Sequence, residues 1–236
     1  MMRRLLESLA RDCTADLTGR RTLVLSPHPD DEVLGCGGLI ASKVHLETPV
    51  WIAYLTDGRN GLSDPKEAAA LREREAREAA SALGVPEDHL FFLRFPDGGL
   101  SDHLGTARAR IRTLVEELGI EDLFAPYGRE YHPDHVAAYL IGRACRRSGT
   151  RLYEYPIWYG PWIWRRLRGR ARWAALRHLA DARRAVRVRV AEFLEVKRQA
   201  LWAYRSQVAQ FEALGAWGEG FLRGFLTPYE VFFVSP

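Results

Sequence analysis

Short apolar runs alternate with longer amphipathic stretches along most of this 236-residue chain. The runs are four to seven residues long and rich in β-branched and aromatic side chains, as is typical of buried strands. They occupy residues 22–25, 49–55, 90–95, 122–126, 151–155 and 229–234. Helical stretches separate them, beginning at residues 39–44 and continuing over 65–83, 103–118, 136–147 and 191–214. The alternation predicts an α/β class, with a single Rossmann-like, doubly wound domain, a mostly parallel sheet and its βα loops gathered on one edge.

Three regions depart from this alternation. Residues 1–17 are amphipathic and predict a lead-in helix on the outside of the domain. Residues 158–189 form a divergent, Trp/Arg-rich C-terminal segment, with a helix indicated at 171–182. Apolar and basic residues alternate strictly over 186–190, which predicts an exposed or edge strand that would offer a pairing surface for a homo-oligomer. Since no repeat or linker is visible, we expect one domain over 1–236, in which 158–190 is a variable, lid-like segment.

Composition places the chain among ordinary globular proteins. Hydrophobic residues make up 47% and charged residues 27%, and no apolar run approaches the roughly 20 residues that span a bilayer. The N-terminus lacks a signal-peptide pattern, because charge interrupts it too soon. The three cysteines, Cys13, Cys36 and Cys145, have no Cys-x-x-Cys spacing. We therefore expect a protein of the reducing cytoplasm, without a disulfide scaffold and without a transmembrane segment.

The net charge of +4 conceals an uneven distribution. Residues 141–198 carry 16 Lys and Arg against 4 Asp and Glu, whereas the rest of the chain is acidic. Four interpretations of the Trp/Arg segment stay open. It could form a lid that stacks on a sugar or an aglycone, attach peripherally to an anionic membrane, or bind nucleic acid. In the fourth interpretation the tryptophans are core and the arginines form a solvated face.

An acidic cluster follows the first apolar run. The sequence His28-Pro-Asp-Asp-Glu32 puts an imidazole and three carboxylates within five residues, where a strand gives way to a loop. In open α/β sheets this edge is where ligands bind. Carboxylates this close repel one another unless a cation lies among them, and imidazole with carboxylate suits zinc. The alternative is a solvated polar turn. Two roles stay open for Glu32, a hydrogen bond within the site or capping of the next helix.

A second cluster, His132-Pro-Asp-His135, lies between the predicted strand at 122–126 and the helix that follows it, in the same way as the first. A catalytic zinc site has three protein ligands and an open fourth position. His28, Asp31 and one of the two later histidines would meet that count. The other histidines lie away from the two motifs, and the alternative here is a histidine pair on the surface.

Together the two motifs resemble the signature of the LmbE/PIG-L family of zinc-dependent N-acetylglucosaminyl deacetylases. Further similarity lies in Leu55-Thr-Asp-Gly58, in Arg72-x-x-Glu75 with the helix that contains it, and in Pro96-Asp-Gly-Gly-Leu100. A helix pattern around Lys197 and Ser206-Gln207 is also similar. The resemblance extends over nearly the whole chain except about 158–189.

The resemblance implies a role for each matching residue. By it, His28, Asp31 and His135 hold one zinc ion, or another divalent transition metal, and Asp30 is the general base. The chemistry agrees, since a carboxylate beside an activated water can take its proton only if it is not itself a ligand.

Four further roles follow from the same resemblance. His132 would face the substrate carbonyl as a protonated donor to the oxyanion, and Asp134 would orient His132 and keep it charged. Arg72 and Asp97 fall where the family contacts the sugar. For Arg72 the alternative is a solvated charge on a highly charged helix.

The function that these residues favour is removal of an N-acetyl or other acyl group from an N-acetylglucosamine-type amino-sugar conjugate. One alternative is a different metal-assisted amide or ester hydrolase, although retention of both Asp30 and Asp31 favours the amide. Another is a binding module for an anionic glycan, lipid or nucleic acid with a structural metal. The expected partner is a small amino-sugar conjugate, not nucleic acid.

Overall fold

The computed structural model of the protein describes residues 7–61, 65–158 and 181–236, without the side chains of 216, 217 and 219. Within these ranges lie eight strands. They are β1 (Arg11–Asp12), β2 (Thr22–Ser26), β3 (Val50–Thr56), β4 (Leu90–Phe95), β5 (Asp122–Pro126), β6 (Arg151–Tyr155), β7 (Ala185–Arg189) and β8 (Tyr229–Val234). Eight α-helices lie wholly within the same ranges. They are α1 (Thr14–Thr18), α2 (Asp31–His45), α3 (Pro65–Ala82), α4 (Leu104–Glu117), α5 (Pro133–Cys145), α6 (Leu194–Ala203), α7 (Arg205–Ala213) and α8 (Ala216–Arg223).

The strands form one sheet in the order β1-β7-β8-β6-β5-β2-β3-β4. All neighbouring pairs are parallel except the two that β8 makes, with β6 and with β7. The predicted α/β class with a mostly parallel sheet is therefore confirmed. Connections over the sheet use helices, as parallel pairs require.

The chain changes direction at β2. From β2 it moves outward through β3 to β4, and it then returns to the other side of β2 to form β5 and β6. Thr22 pairs with Val50 of β3 on one side and with Asp122 of β5 on the other. In open α/β sheets the crevice beyond the carboxyl ends of two such strands is the usual ligand site. The loops after β2 and β5, which carry the two histidine motifs, meet there.

Two apolar clusters pack on opposite faces of the sheet. Leu23 and Leu25 belong to the cluster that includes residues of α4 and α5, whereas Val24 belongs to the cluster formed with α2, α3 and α6. Because successive side chains of a strand point to opposite faces, this division shows that helices cover both faces. Fully covered central strands explain the continuous apolar runs in the sequence.

Helix α2 begins at Asp31, eight residues before the predicted start at residue 39. The prediction was wrong because Gly35, Gly37 and Gly38 discourage a helix. In the fold these glycines allow close packing: Cβ atoms added at Gly37 and Gly38 would lie 3.0 Å from Lys197 and 2.6 Å from Val190. The helix N-terminus therefore reaches the site, with Asp31 in its first turn.

Replacement of Gly38 by Ala tests this close packing. The new Cβ would lie 2.6 Å from the branched Cβ of Val190, which cannot swing away, so we expect a loss of about 1–3 kcal/mol in the free energy of unfolding. Gly105 in α4 is exposed and has no atom within 4 Å of an added Cβ. Gly105→Ala should instead stabilise by about 0.5–1 kcal/mol. Urea unfolding measures both, and equal stability of wild type and Gly38→Ala would contradict the packing.

Three other expectations need correction. Of the lead-in helix expected over residues 1–17, residues 1–6 lie outside the described residues, and in the remainder β1 pairs with β7 at Arg11 and Asp12 before α1 begins. Strand β7 is not an edge, because β1 lies on one side and β8 on the other, and the pairing surface expected there is covered. The helix expected over 191–214 is interrupted at Tyr204, between α6 and α7.

The Trp/Arg segment is described only at its ends, and the helix expected at 171–182 lies almost wholly outside the described residues. At one end, Trp158 stacks on Phe221 with ring centroids 5.0 Å apart. At the other, Arg184 pairs with Glu154 and Asp181. At these two ends the residues pack and form ion pairs, and the four interpretations of the segment stay open. A search of the described helices found none long and apolar enough to cross a membrane.

Candidate active site

The loop after β2 is held in a fixed shape by buried polar contacts. Asp30 has φ 142°, a conformation that residues with a side chain rarely adopt, and such strain is concentrated at functional sites. Arg72 of α3 donates to the carbonyl of Pro29 and lies 3.1 Å from the Asp30 carboxylate. The Arg72 side chain is only 5% exposed, so it is not the solvated charge that the helix pattern allowed.

Hydrogen bonds to the Glu32 carboxylate also stabilise the loop after β2. This fully buried carboxylate accepts hydrogen bonds from Ser26 Oγ at 2.9 Å, from the Asp30 amide at 3.1 Å and from the hydroxyls of Tyr54 and Tyr204. Burial raises the pKa of Glu32. Of the two roles left open for Glu32, the structure shows hydrogen bonding within the site.

Asp31 lies between two histidines. Its Oδ2 atom is 3.1 Å from His28 Nδ1 and 3.2 Å from His135 Nε2, and all three side chains are largely buried. Of the two later histidines, His135 is the one whose ring faces Asp31. A tetrahedral ion with bonds of about 2.0–2.2 Å sets its ligand atoms about 3.4 Å apart. The distances from Asp31 Oδ2 to the two imidazole nitrogens, 3.1 and 3.2 Å, are close to that spacing.

The close contacts within this triad shift the pKa values of its members in opposite directions. Burial raises the pKa of Asp31, but the two neighbouring rings outweigh it and hold that pKa far below its ordinary value. Burial lowers the pKa of His135, but Asp31 outweighs it and raises the pKa to about 9. The pKa of His28 is likewise lowered by burial but lies well above its ordinary value, because three carboxylates accept hydrogen bonds from its ring.

The far side of the His28 ring is held by two further carboxylates. Nε2 lies 3.2 Å from Asp97 Oδ1 and 3.3 Å from Asp134 Oδ2. Histidines that ligate metals usually donate from the other ring nitrogen to such a carboxylate. Asp134 also accepts from the amides of Gly98 and Leu100, at 2.7 and 3.0 Å. The loop after β4 is thereby tied to the site.

His132 completes the cluster at the start of α5. Its ring centroid is 4.6 Å from that of His28, and the rings of His28, His132 and His135 could also share an ion. The expected pairing of the Asp134 carboxylate with His132 is not made: the Asp134 amide points to His132 Nδ1 at 3.3 Å, while the carboxylate faces His28. Burial has the largest effect on His132 and lowers its pKa, and the nearby His28 and His135 lower this pKa further. The structure therefore does not support a ring kept protonated by Asp134.

Asp30 stands beside the triad with its carboxylate turned to Arg72 rather than to the histidines. Burial raises its pKa to about 7, although the Arg72 guanidinium opposes the shift. A carboxylate with such a pKa suits general base chemistry near neutral pH. Of the two residues expected to contact a sugar, Asp97 lies against His28 and Arg72 against Asp30, so both support other site residues in this structure.

Two features of the site were not predicted. Glu130, in the loop before His132, is buried with its carboxylate 3.6 Å from His135. Tyr204, which bonds to Glu32, lies at the break between α6 and α7. Neither belongs to a motif, and only the fold brings them near the site. The signal available for Glu130 was its position two residues before His132.

The fold and the site together define an α/β protein with a buried histidine–carboxylate cluster, suited to a divalent metal, at the switch point of its sheet. A family model described as PIG-L, GlcNAc-PI de-N-acetylase, matches residues 23–145, which is more than half of the chain. The chain belongs to the PIG-L (LmbE) family, and the resemblance seen in the motifs is confirmed.

Individual relatives agree with the family. The chain is 30% identical over 142 residues to a probable N-acetyl-alpha-D-glucosaminyl L-malate deacetylase 2 of Bacillus cereus, covering 56% of this chain and 62% of that protein. It is 35% identical over 132 residues to diacetylchitobiose deacetylase of Thermococcus kodakarensis, covering 52% of this chain and 48% of that one. It thus spans only about half to three fifths of these relatives' lengths.

A solved structure extends the likeness in fold to most of the chain. The N,N'-diacetylchitobiose deacetylase of Pyrococcus horikoshii superposes with a TM-score of 0.70 at 23% identity, covering 92% of this chain and 84% of that one. At 23% sequence identity, this similarity shows the fold alone.

Proposed function

We propose that this protein is a metal-dependent hydrolase that removes an N-acetyl group from an N-acetylglucosamine-type amino-sugar conjugate. The observation that carries the proposal is the Asp31 carboxylate, 3.1 and 3.2 Å from two imidazole nitrogens, with a second carboxylate beside it that is not part of the triad. Family membership and relatives named as N-acetylglucosaminyl and diacetylchitobiose deacetylases support it. An amino sugar supplies the amide that such a site could cleave.

His28, Asp31 and His135 would hold the metal, and a nitrogen–oxygen donor set of this kind favours zinc. When bound, the ion supplies Lewis acidity that activates water and polarises a carbonyl. Both the binding of a metal and its identity as zinc are part of this proposal. The buried loops around Asp31 keep the ligands in place, since Asp97 and Asp134 fix the ring of His28 from behind.

Asp30 would take the proton of the attacking water and return it to the leaving amine. Its strained backbone and its ion pair with Arg72 hold the carboxylate in one orientation. Arg72 thus serves Asp30, and a direct contact of Arg72 or Asp97 with the sugar stays a prediction.

His132 would stabilise the oxyanion as a hydrogen-bond donor. Its Nδ1 receives the amide N–H of Asp134, so the ring proton of the neutral form lies on Nε2. A neutral imidazole that donates from Nε2 can stabilise developing negative charge, and a donor of this kind is worth about 2.7–4 kcal/mol in related acyl transfers.

The test combines metal content with product formation. Inductively coupled plasma mass spectrometry should find about one metal ion per chain, and acetate should be released from at least one of a panel of N-acetylglucosamine conjugates. Supply of Zn²⁺, Co²⁺ and Mn²⁺ to metal-free protein identifies the active ion. If none of these ions binds, the proposal is wrong.

Replacement of Asp134 by Asn should weaken metal binding by about 10–100-fold, as losses of such supporting carboxylates do. The variant keeps the size of the side chain but removes one acceptor, so it cannot serve His28, Gly98 and Leu100 together. Competition with a chromophoric chelator measures the affinity. Unchanged affinity would show that the contact between Asp134 and His28 does not support metal binding.

A further inference from the structure

Glu130 lies in the loop between β5 and α5, outside every motif that the sequence suggested. Its side chain is 1% exposed. Burial of a carboxylate is costly unless hydrogen bonds compensate for it, so a buried glutamate in a loop is expected to hold something in place.

Both carboxylate oxygens of Glu130 are engaged by the backbone after β6. Oε1 accepts from the amide of Ile157 at 2.8 Å, and Oε2 accepts from the amide of Trp158 at 2.9 Å. Two adjacent donors of this kind prevent the carboxylate from rotating. Ile157 and Trp158 are also the residues that lead into the Trp/Arg segment.

The Glu130 carboxylate is directed at the metal ligand His135. Oε2 lies 3.6 Å from Nδ1 of that ring, whose Nε2 faces Asp31 at 3.2 Å. In the described part of the protein, this buried Nδ1 has no hydrogen-bond partner. A small rotation of the ring would bring the pair to a hydrogen bond of about 2.9–3.0 Å.

We infer that Glu130 is a positioning residue, which fixes the His135 ring for metal binding and ties it to the backbone that begins the Trp/Arg segment. A carboxylate on the second nitrogen of a ligating histidine sets its tautomer and orientation. One carboxylate then serves both the proposed metal centre and the backbone that leads into the Trp/Arg segment. The inference rests on the metal-dependent function proposed above.

The experiment compares wild type with Glu130→Gln and with Glu75→Gln as a matched control. Gln has the shape of Glu but only one acceptor oxygen, so it cannot satisfy both amides and His135. Glu75 is 1% exposed and accepts from the amide and the hydroxyl of Ser206, away from the histidines. Glu75→Gln therefore controls for the loss of a buried carboxylate as such.

Three measurements follow on each protein. Chelator competition should show that Glu130→Gln binds Zn²⁺ about 10–100-fold more weakly than wild type. Glu75→Gln should bind Zn²⁺ with the affinity of wild type. The visible absorption of the Co²⁺-loaded protein should change in Glu130→Gln only. Amide hydrogen exchange at residues 157 and 158 should be faster in Glu130→Gln, and thermal unfolding confirms that each variant is folded. If Glu130→Gln does not fold, Glu130→Asp, which keeps the charge but withdraws it from His135, is measured in its place.

The outcomes separate this inference from the proposed function. A wild type that binds Zn²⁺, with equal affinity and an unchanged Co²⁺ spectrum in Glu130→Gln, would overturn the inference and leave the proposed function intact. A wild type that binds none of Zn²⁺, Co²⁺ and Mn²⁺ would overturn both. An equal loss of Zn²⁺ affinity in Glu75→Gln would also overturn the inference, because loss of any buried carboxylate would then weaken metal binding.

Discussion

Asp30→Asn should release acetate about 10²–10⁴-fold more slowly than wild type while it retains its metal. The amide of Asn is as large as the carboxylate and can still accept a hydrogen bond from Arg72, which lies 3.1 Å from Oδ2 of Asp30. It cannot take a proton from water at neutral pH. The change therefore removes the base and little else. The measurement pairs turnover with metal content on the same preparation.

Asp102→Asn is the matched control, because Asp102 is an exposed aspartate on the loop after β4. We expect it to keep wild-type turnover. Loss of metal in Asp30→Asn would mean that Asp30 is a ligand, and the assignment of Asp31 would then need revision. Full turnover in Asp30→Asn would place the base elsewhere.

The strands were predictable because burial on both faces leaves a clear pattern. β4, β5, β6 and β8 occupy the predicted residues. Local pattern was insufficient where a distant contact decides the structure. The glycines of α2 disfavour a helix on their own, and the residues that require their small size, Tyr155, Val190 and Lys197, lie far along the chain.

The same distinction applies to β7. Val186 and Val188 are buried, whereas Arg187 is half-buried and Arg189 is exposed, which produces the alternation of an edge strand. The sequence pattern reports which face is covered, not which edges are paired. Pairing with the two residues of β1 cannot be recognised in a stretch so short.

For the site, the motifs predicted which residues meet but not every contact between them. The resemblance named the triad of His28, Asp31 and His135, and the structure brings these side chains together. It also implied that Asp134 serves His132, whereas the carboxylate serves His28 and the loop after β4. Roles that depend on the direction of a side chain need the fold, since spacing along the chain does not determine them.

His28→Ala should abolish stoichiometric metal binding, with affinity lowered by more than the roughly 100-fold upper range for supporting residues, because a ligand itself is removed. Acetate release should fall with it. His28 is also the residue that joins Asp31, Asp97 and Asp134, since all three carboxylates contact its ring. The metal-free variant should therefore lose on the order of 1–3 kcal/mol of stability, because buried carboxylates lose a donor.

His45→Ala controls for loss of a histidine, since His45 is exposed near the end of α2 and lies outside the site. The decisive comparison is between His28→Ala and Asp30→Asn. If only the former loses metal while both lose turnover, the ligand and the base are separate residues, as the geometry of the loop after β2 requires. If His28→Ala retains metal at wild-type affinity, the ion is held without His28, and the triad built around Asp31 is not the metal site.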